Sequence, residues 1–235
     1  MTKKKYIILE IIALLFFAAT VVTDMLYMTL GNAYTFKTIA SCTFVLCAVV
    51  NFALIFAFRA VTNKMFMIFM LVGQVFACLG DIVLIEFFEI GAILFAVGHV
   101  FYFVAYCFLK KFKLTDLMYI GAAIAVSLVI IFASKIELGS MAFLIIAYAL
   151  IISCMLGKSA TLIKWNTMIG IFLFVGSLMF YLSDLFLMFN IFGNIGRVGS
   201  VLCLGFYYPA EFLLAESIVL CNICGKSKTE ETEEN

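Results

Sequence analysis

The chain has 235 residues, of which 66% are hydrophobic and only 12% are charged, and its formal net charge at pH 7 is +1. A soluble domain of this length needs a more polar surface, so the composition indicates a protein that crosses a membrane several times. The nearly neutral charge balance gives no indication of a nucleic-acid partner. We therefore expect an all-α membrane protein.

Eight apolar segments follow one another along the chain, and most approach the length that a helix needs to cross a bilayer. Lys3-Lys4-Lys5 and the first apolar segment resemble a signal peptide, but no cleavage motif follows, so we predict a retained helix. The predicted spans are 6–22, 37–59, 65–85, a fourth that ends at 109, 114–133, 141–156, 167–189 and 197–223. We expect residues 1–225 to form a single transmembrane domain and the charged tail, 226–235, to be disordered.

The basic residues predict the orientation of the helices. With eight spans, twelve of the fifteen Lys and Arg residues lie at the termini and in the 2–3, 4–5 and 6–7 loops. Because basic residues accumulate in cytoplasmic loops, both termini are predicted to be cytoplasmic.

Two segments of the chain resemble each other and indicate an internal repeat. Residues 72–84 align without a gap on residues 175–187, with five identical positions in the pattern V-G-x5-L-small-D-x-x-L. The segments lie in the third and seventh spans, which have the same direction, so the pattern favours two parallel four-helix halves. Chance identity in such a biased sequence is the alternative.

Polar residues form stripes on four of the predicted helices. Asp81 and the only histidine, His99, lie in apolar segments, where an ionisable side chain is costly and faces protein or water. Residues three or four apart share a helix face, so we expect the stripes to meet around one partly wet cavity. The stripes are Gln74, Cys78 and Asp81; Gly91, Phe95, His99, Tyr102 and Tyr106; Ser177, Tyr181 and Asp184; and Ser200, Leu204, Tyr207 and Glu211.

Structural explanations compete with functional ones at several positions. Lys37 and Arg197 at the predicted non-cytoplasmic rim suit an anionic head group, but they could also snorkel. His99 and Asp81 could be a structural polar pair between helices. A single histidine leaves no conventional zinc site, so we expect no metal and no cofactor. The acidic residues that we expect to be solvated loop charges are Asp24, Glu86 and Glu89.

The motifs around these residues resemble those of the YhhN-like lysoplasmalogenase family. They are L-G-D at 79–81, Gly91, Phe95, the H-x-x-Y of His99 and Tyr102, Phe36-Lys37, Ser183-Asp184 and the segment 207–213. The similarity covers nearly the whole chain in order and helix count. The sequence departs from the family pattern at three positions: Thr38 replaces a usual proline, Glu211 replaces a common Gln or His, and Asp184 stands where Asn also occurs.

The resemblance implies a multi-pass membrane hydrolase that cleaves the vinyl-ether bond of lysoplasmalogen-type lysophospholipids. The expected partners are this lysophospholipid substrate and the lipids of the membrane. From the polar stripes, the cations at the rim and this resemblance together, we assign catalytic roles to Asp81, His99, Asp184 and Glu211, and substrate binding to Lys37, Tyr102, Tyr181, Tyr207 and Arg197. We expect a bacterial cell membrane rather than the endoplasmic reticulum, and the oligomeric state stays open. The alternatives are a proton-coupled transporter of small molecules or lipids that uses Asp81 and Asp184, and a structural protein.

The two repeat aspartates carry the most specific expectation. Asp81 and Asp184 are predicted to face one cavity at similar depth, where two close carboxylates cannot both ionise cheaply. One would then hold the proton that is given to the vinyl ether. If instead Lys37 or Arg197 neutralises one of them, neither is the acid and Glu211 becomes the candidate.

Overall fold

A computed structural model describes residues 3–30 and 33–224, with residues 3–6, 33, 223 and 224 described by their backbone alone. Within these ranges the chain forms eight α-helices and no strand, and all eight are long and apolar enough to cross a membrane. The predicted spans are therefore confirmed in number. The helices are α1 (Lys3–Leu30), α2 (Ala33–Ala57), α3 (Lys64–Val83), α4 (Phe88–Leu109), α5 (Asp116–Ala133), α6 (Ala142–Ile163), α7 (Thr167–Phe192) and α8 (Gly196–Cys224).

The predicted C-terminal ends of α1 and α6 are wrong. In both cases a charged residue was taken as the start of a loop. α1 continues through Asp24 to Leu30, and α6 continues through Lys158 to Ile163. Neither side chain is a solvated loop charge, because Asp24 is half-buried and Lys158 is fully buried. In a bilayer the backbone gains most by staying helical, so a charge that finds protein surroundings does not end the helix.

The turn predicted over residues 24–36 is wrong for 24–30 and 33–36, which are helical. Its centre at Gly31 and Asn32, the side chains of Lys3-Lys4-Lys5 and the tail 226–235 lie outside the described residues. Glu86 and Glu89 lie in and beside the short connection between α3 and α4, and both are exposed, as predicted.

Close contact between α3 and α4 brings two predicted site residues together. At Gly73 a Cβ atom would lie 2.5 Å from the Tyr102 ring, and at Gly98 it would lie 3.2 Å from the Gly73 carbonyl oxygen. Glycines at such positions let two membrane helices approach closely, since lipid chains supply no hydrophobic force to press them together. The α3–α4 hairpin therefore holds Asp81 and His99 on adjacent helices.

Helix packing supports the predicted repeat without deciding it. The pairs α1–α2, α2–α3, α3–α4 and α4–α6 correspond to α5–α6, α6–α7, α7–α8 and α8–α2, and all eight pairs are in contact. Asn63 caps α3 and Asn166 caps α7, each by accepting from the backbone N–H three residues later, and they are separated by the same 103 residues as the aligned segments. The contacts of α8 with α1 have no equivalent between α4 and α5 within the described residues, whereas those of α8 with α3 correspond to side-chain contacts between α4 and α7. The repeat and the orientation of the termini stay predictions.

Candidate active site

A polar cavity opens where α1, α3 and α7 end and α2 and α8 begin. Its empty volume is about 810 Å³, including the open mouth. Side chains from α1, α2, α3, α4, α7 and α8 line it, so no single hairpin builds the site. Its charged and polar lining residues are Lys37, Asp81, Ser183, Asp184, Asn190 and Ser200.

Asp81 is held in an ion pair on one side of this cavity. Lys37 Nζ lies 2.9 Å from Asp81 Oδ1, and the two side chains are only 9% and 5% exposed. The hydroxyl of Ser41 donates to Asp81 Oδ2, and that of Tyr208 donates to the same oxygen at 3.3 Å. Asp24 interacts electrostatically with both members of the pair. A carboxylate with a buried cation and two hydroxyl donors is stabilised in its charged form.

Asp184 lies on the same cavity but has a different set of partners. The Tyr148 hydroxyl donates to Asp184 Oδ2 at 2.6 Å, and His99 Nε2 lies 3.3 Å from the same oxygen. The Tyr148 hydroxyl and His99 Nε2 are themselves 2.8 Å apart. His99 is fully buried, whereas the Asp184 side chain is 11% exposed, so the aspartate is the member of this group that faces the cavity.

The expectation for the two repeat aspartates is therefore half right. Both line one cavity, as predicted. The shared proton is contradicted by the Lys37–Asp81 ion pair, which is the alternative that the sequence left open. Asp184 instead has an imidazole and a phenol as neighbours. The same alternative named Glu211 as the acid, but Glu211 does not line the cavity, so Asp184 is the lining carboxyl group that no lysine neutralises.

A layer of aromatic rings separates this cavity from the deeper polar residues. Phe95, Phe180 and Tyr207 pack edge to face, with ring centroids 5.4–6.0 Å apart. Below them lies Glu211, which is fully buried and accepts from the Tyr102 hydroxyl at 2.9 Å. The expectation that all four stripes face one cavity is wrong for these two residues, because bulky rings fill the space between them and the cavity.

Two other predicted substrate-binding residues also lie off the cavity lining. Tyr181 is hydrogen-bonded to Ser127 on α5 at 2.9 Å and faces the space between α5, α6 and α7. Arg197 is exposed in the first turn of α8. Lys37 and Tyr207 are the predicted substrate-binding residues that line the cavity.

Sequence reasoning missed three hydroxyl groups that contact the two aspartates. Ser41 follows Lys37 by one helical turn, and this spacing is a signal that could have identified it. Tyr208 adjoins a predicted residue but points to Asp81 rather than along the predicted stripe. Tyr148 is a single tyrosine in an apolar span, and its sequence surroundings contain no signal.

Asp184 also lines an apolar cleft that adjoins the polar cavity. This cleft lies between α4, α6 and α7, has an empty volume of about 450 Å³ and includes Phe88, Ala92, Leu144 and Ile145. Asp184 is the only Asp, Glu, Lys, Arg or His among its lining residues. The aspartate thus stands on the boundary between a polar cavity and an apolar cleft.

No group of three or more His, Cys, Asp or Glu side chains that could hold a metal ion occurs in the described part of the chain.

Comparison with known proteins agrees with the resemblance in the sequence motifs. No curated protein and no solved structure matches the chain. The model of the YhhN family matches residues 33–218, which include α2 to α7, most of α8 and every residue that contacts the two aspartates. A match over this share of the chain shows that the protein belongs to the YhhN family.

Proposed function

We propose that the protein is an intramembrane hydrolase that cleaves the vinyl-ether bond of lysoplasmalogen-type lysophospholipids. The observation that carries this proposal is the position of Asp184, a carboxyl group between a polar cavity and an apolar cleft. In such a lipid the vinyl ether is the junction between the hydrocarbon chain and the glycerophosphate. Membership of the YhhN family supports the same assignment.

The reaction adds one water molecule across the vinyl ether. A proton is transferred to the β-carbon of the double bond, which leaves an oxocarbenium ion on the carbon bonded to oxygen. Water adds to that carbon and gives up a proton, which restores the acid. The resulting hemiacetal loses its hydroxyl proton as its bond to the glycerol oxygen breaks, and that oxygen gains a proton. The products are a fatty aldehyde and a glycerophospho-alcohol. The site must therefore supply an acid, a negative group beside the cation, and a water molecule.

Asp184 fits the first two of these needs. As the acid it gives its proton to the β-carbon, and the carboxylate that remains is next to the cation just formed. The same carboxylate can accept the proton that the attacking water releases, which restores the acid, while His99 Nε2 and the Tyr148 hydroxyl hold the oxygen Oδ2 in place. His99 is a positioning residue in this scheme, because it is fully buried behind Asp184 and does not line the cavity.

Lys37 and Asp81 fit the binding of the phosphate. Lys37 lines the cavity and supplies the positive charge that a phosphate requires. Asp81, which is held by Ser41 and Tyr208, keeps the ammonium group in one place. Glu211, Tyr102, Tyr181 and Arg197, which lie off the cavity, have no direct role in this scheme.

The test is aldehyde release from a lysoplasmalogen by the purified protein. General acid catalysis contributes about 10²–10⁴ in rate, so Asp184→Asn is expected to lower kcat by a factor in that range. His99→Phe is expected to lower it less, because the acid itself remains. Glu86→Gln, the same chemical change at an exposed loop position, is the matched control and keeps the wild-type rate. A saturated alkyl-ether lysolipid should give no aldehyde with any variant.

Full activity of Asp184→Asn would refute the assignment of the acid. Absence of aldehyde with the folded wild-type protein, together with flux of a solute into sealed vesicles, would instead support a transporter. The helix correspondence between the two halves is the observation that favours that second candidate, since parallel repeats are common in transporters.

A further inference from the structure

We propose that the apolar cleft between α4, α6 and α7 binds the hydrocarbon chain of the lysolipid, and that the chain enters from the bilayer between α4 and α6. The inference rests on the proposed function for the identity of the lipid. It adds the path of the chain, the route by which the aldehyde leaves, and Ala92 as the residue that determines how much room the chain has.

The cleft has the lining that a hydrocarbon chain requires. Apart from Asp184 and the hydroxyl-bearing Tyr148, its lining consists of Leu, Ile, Met, Ala and Phe side chains. Most of these side chains, including Leu144 and Ile145 on α6, are half-buried rather than buried, so the cleft opens on the outer surface of the helix bundle. In a membrane protein that surface contacts lipid chains.

The cleft and the polar cavity adjoin each other. Leu84, Phe95, Leu187 and Asp184 line both spaces. A molecule whose polar end lies near Lys37 and whose apolar end lies in the cleft would therefore have its junction beside Asp184. This is the geometry that a lysolipid with a reactive bond at the junction needs.

A second apolar cleft next to Asp184 fits less well. It lies between α5, α6 and α7 and shares only Asp184 with the polar cavity. The hydroxyl groups of Ser127 and Tyr181 also line it, and these are hydrogen-bonded to each other. The cleft between α4, α6 and α7 shares four lining residues with the polar cavity and is the more apolar of the two, so we assign the chain to it.

The two clefts provide a pair of matched substitutions. Ala92 on α4 lines the proposed chain site and is 8% exposed. Ala149 on α6 lines the other cleft. Replacing either alanine by leucine adds the same volume beside Asp184, but in different clefts.

The arrangement also separates the two products. The aldehyde is apolar apart from its terminal carbon and can leave into the bilayer through the cleft. The glycerophospho-alcohol is polar and can leave through the mouth of the cavity, past Asn190 and Ser200. Neither product needs to cross the site of the other.

The experiment is photo-crosslinking, which does not depend on catalysis. The probe is an alkyl-ether lysophospholipid, which lacks the vinyl bond, with a diazirine group in the middle of its chain. It is added to the purified full-length protein in lipid nanodiscs, with and without an excess of the unlabelled alkyl lysolipid, and the labelled peptides are identified by mass spectrometry. We expect labelling of α4 and α6 that the unlabelled lipid suppresses.

In the variants, Ala92→Leu is expected to lower the suppressible labelling at least about fivefold, because overpacking a filled site costs about 1–3 kcal/mol. Ala149→Leu is expected to leave it within about twofold of the wild type. Suppressible labelling of α5, equal effects of the two substitutions, or labelling that the unlabelled lipid does not suppress would each overturn the inference. The location of the label in the wild-type protein decides the matter even if Ala92→Leu does not fold.

The outcome is independent of the test of the proposed function. Suppressible labelling of α4 and α6 without any aldehyde release supports the chain site and refutes the hydrolase. Aldehyde release with the label on α5 supports the hydrolase and refutes the chain site.

Discussion

Neutralising either member of the Lys37–Asp81 pair should destabilise the protein strongly, because the other member would lie buried without its counter-charge. The ion pair has a separation of 2.9 Å, and its side chains are 9% and 5% exposed, so it belongs with buried pairs rather than with surface pairs. Removing one partner of a buried pair costs about 3–5 kcal/mol. The matched substitutions are Lys37→Met, Asp81→Asn and the two combined.

The expected decreases in Tm distinguish the contribution of the ion pair from that of the hydrogen bonds around it. For a chain of this size, about 1 kcal/mol changes Tm by about 2–4 °C, so each single variant should lose about 6–20 °C. The double variant should lose much less than the two losses added together, since no unpaired charge remains. Ser41→Ala, which removes one hydrogen bond to Asp81, should lose only about 1–2 °C, because such bonds in membrane proteins contribute about 0.6 kcal/mol.

The assay is thermal unfolding of the four purified variants and the wild type in one detergent, with retained helix content as the check on folding. A decrease in Tm of less than about 2 °C for both Lys37→Met and Asp81→Asn would show that the pair stabilises the protein no more than an exposed ion pair does. Additive losses in the double variant would show that the two residues do not interact. Either result would refute the argument that a buried ion pair prevents Asp81 from acting as the acid.

Two further stability predictions and one topology prediction follow from the fold. Gly157→Ala should be destabilising by about 1–3 kcal/mol, because the new Cβ would lie 2.5 Å from the backbone of Ile120. At Gly121 nothing lies within 4 Å of the new Cβ, so Gly121→Ala should be neutral or slightly stabilising in the same unfolding assay. Lys158→Met should lower the free energy of unfolding by about 3–5 kcal/mol, because it removes the ammonium group that lies 2.6 Å from the buried Asp116 carboxylate. A variant with the Tm of the wild type would show that this ion pair does not stabilise the protein. A reporter that is fluorescent only in the cytoplasm, fused to the C terminus, should be fluorescent if the loop charges predict the orientation correctly, and a dark but expressed fusion would reverse it.

Much of the helical framework was readable from the sequence for a simple physical reason. A bilayer leaves a backbone no partner except its own carbonyl groups, so long apolar segments must be helices, and their number follows from counting them. The errors at Asp24 and Lys158 arose where a charge was taken as a sign of solvent. Lys158 is in fact paired with Asp116, which lies 42 residues earlier in the chain, and no local pattern indicates such a pairing.

For the candidate site, too, part was predictable from the sequence and part depended on the tertiary structure. Helical spacing alone placed Asp81, His99 and Asp184 on inward-facing stripes, because residues three or four apart share a face whatever the helix packs against. The contacts between the stripes were decided by tertiary packing. Lys37 reached Asp81 because α2 packs on α3, and Tyr148 reached Asp184 because α6 packs on α7. The sequence by itself determined which side chains turn inward, whereas their partners depend on distances between helices that are distant in the chain, and only the folded bundle sets those distances.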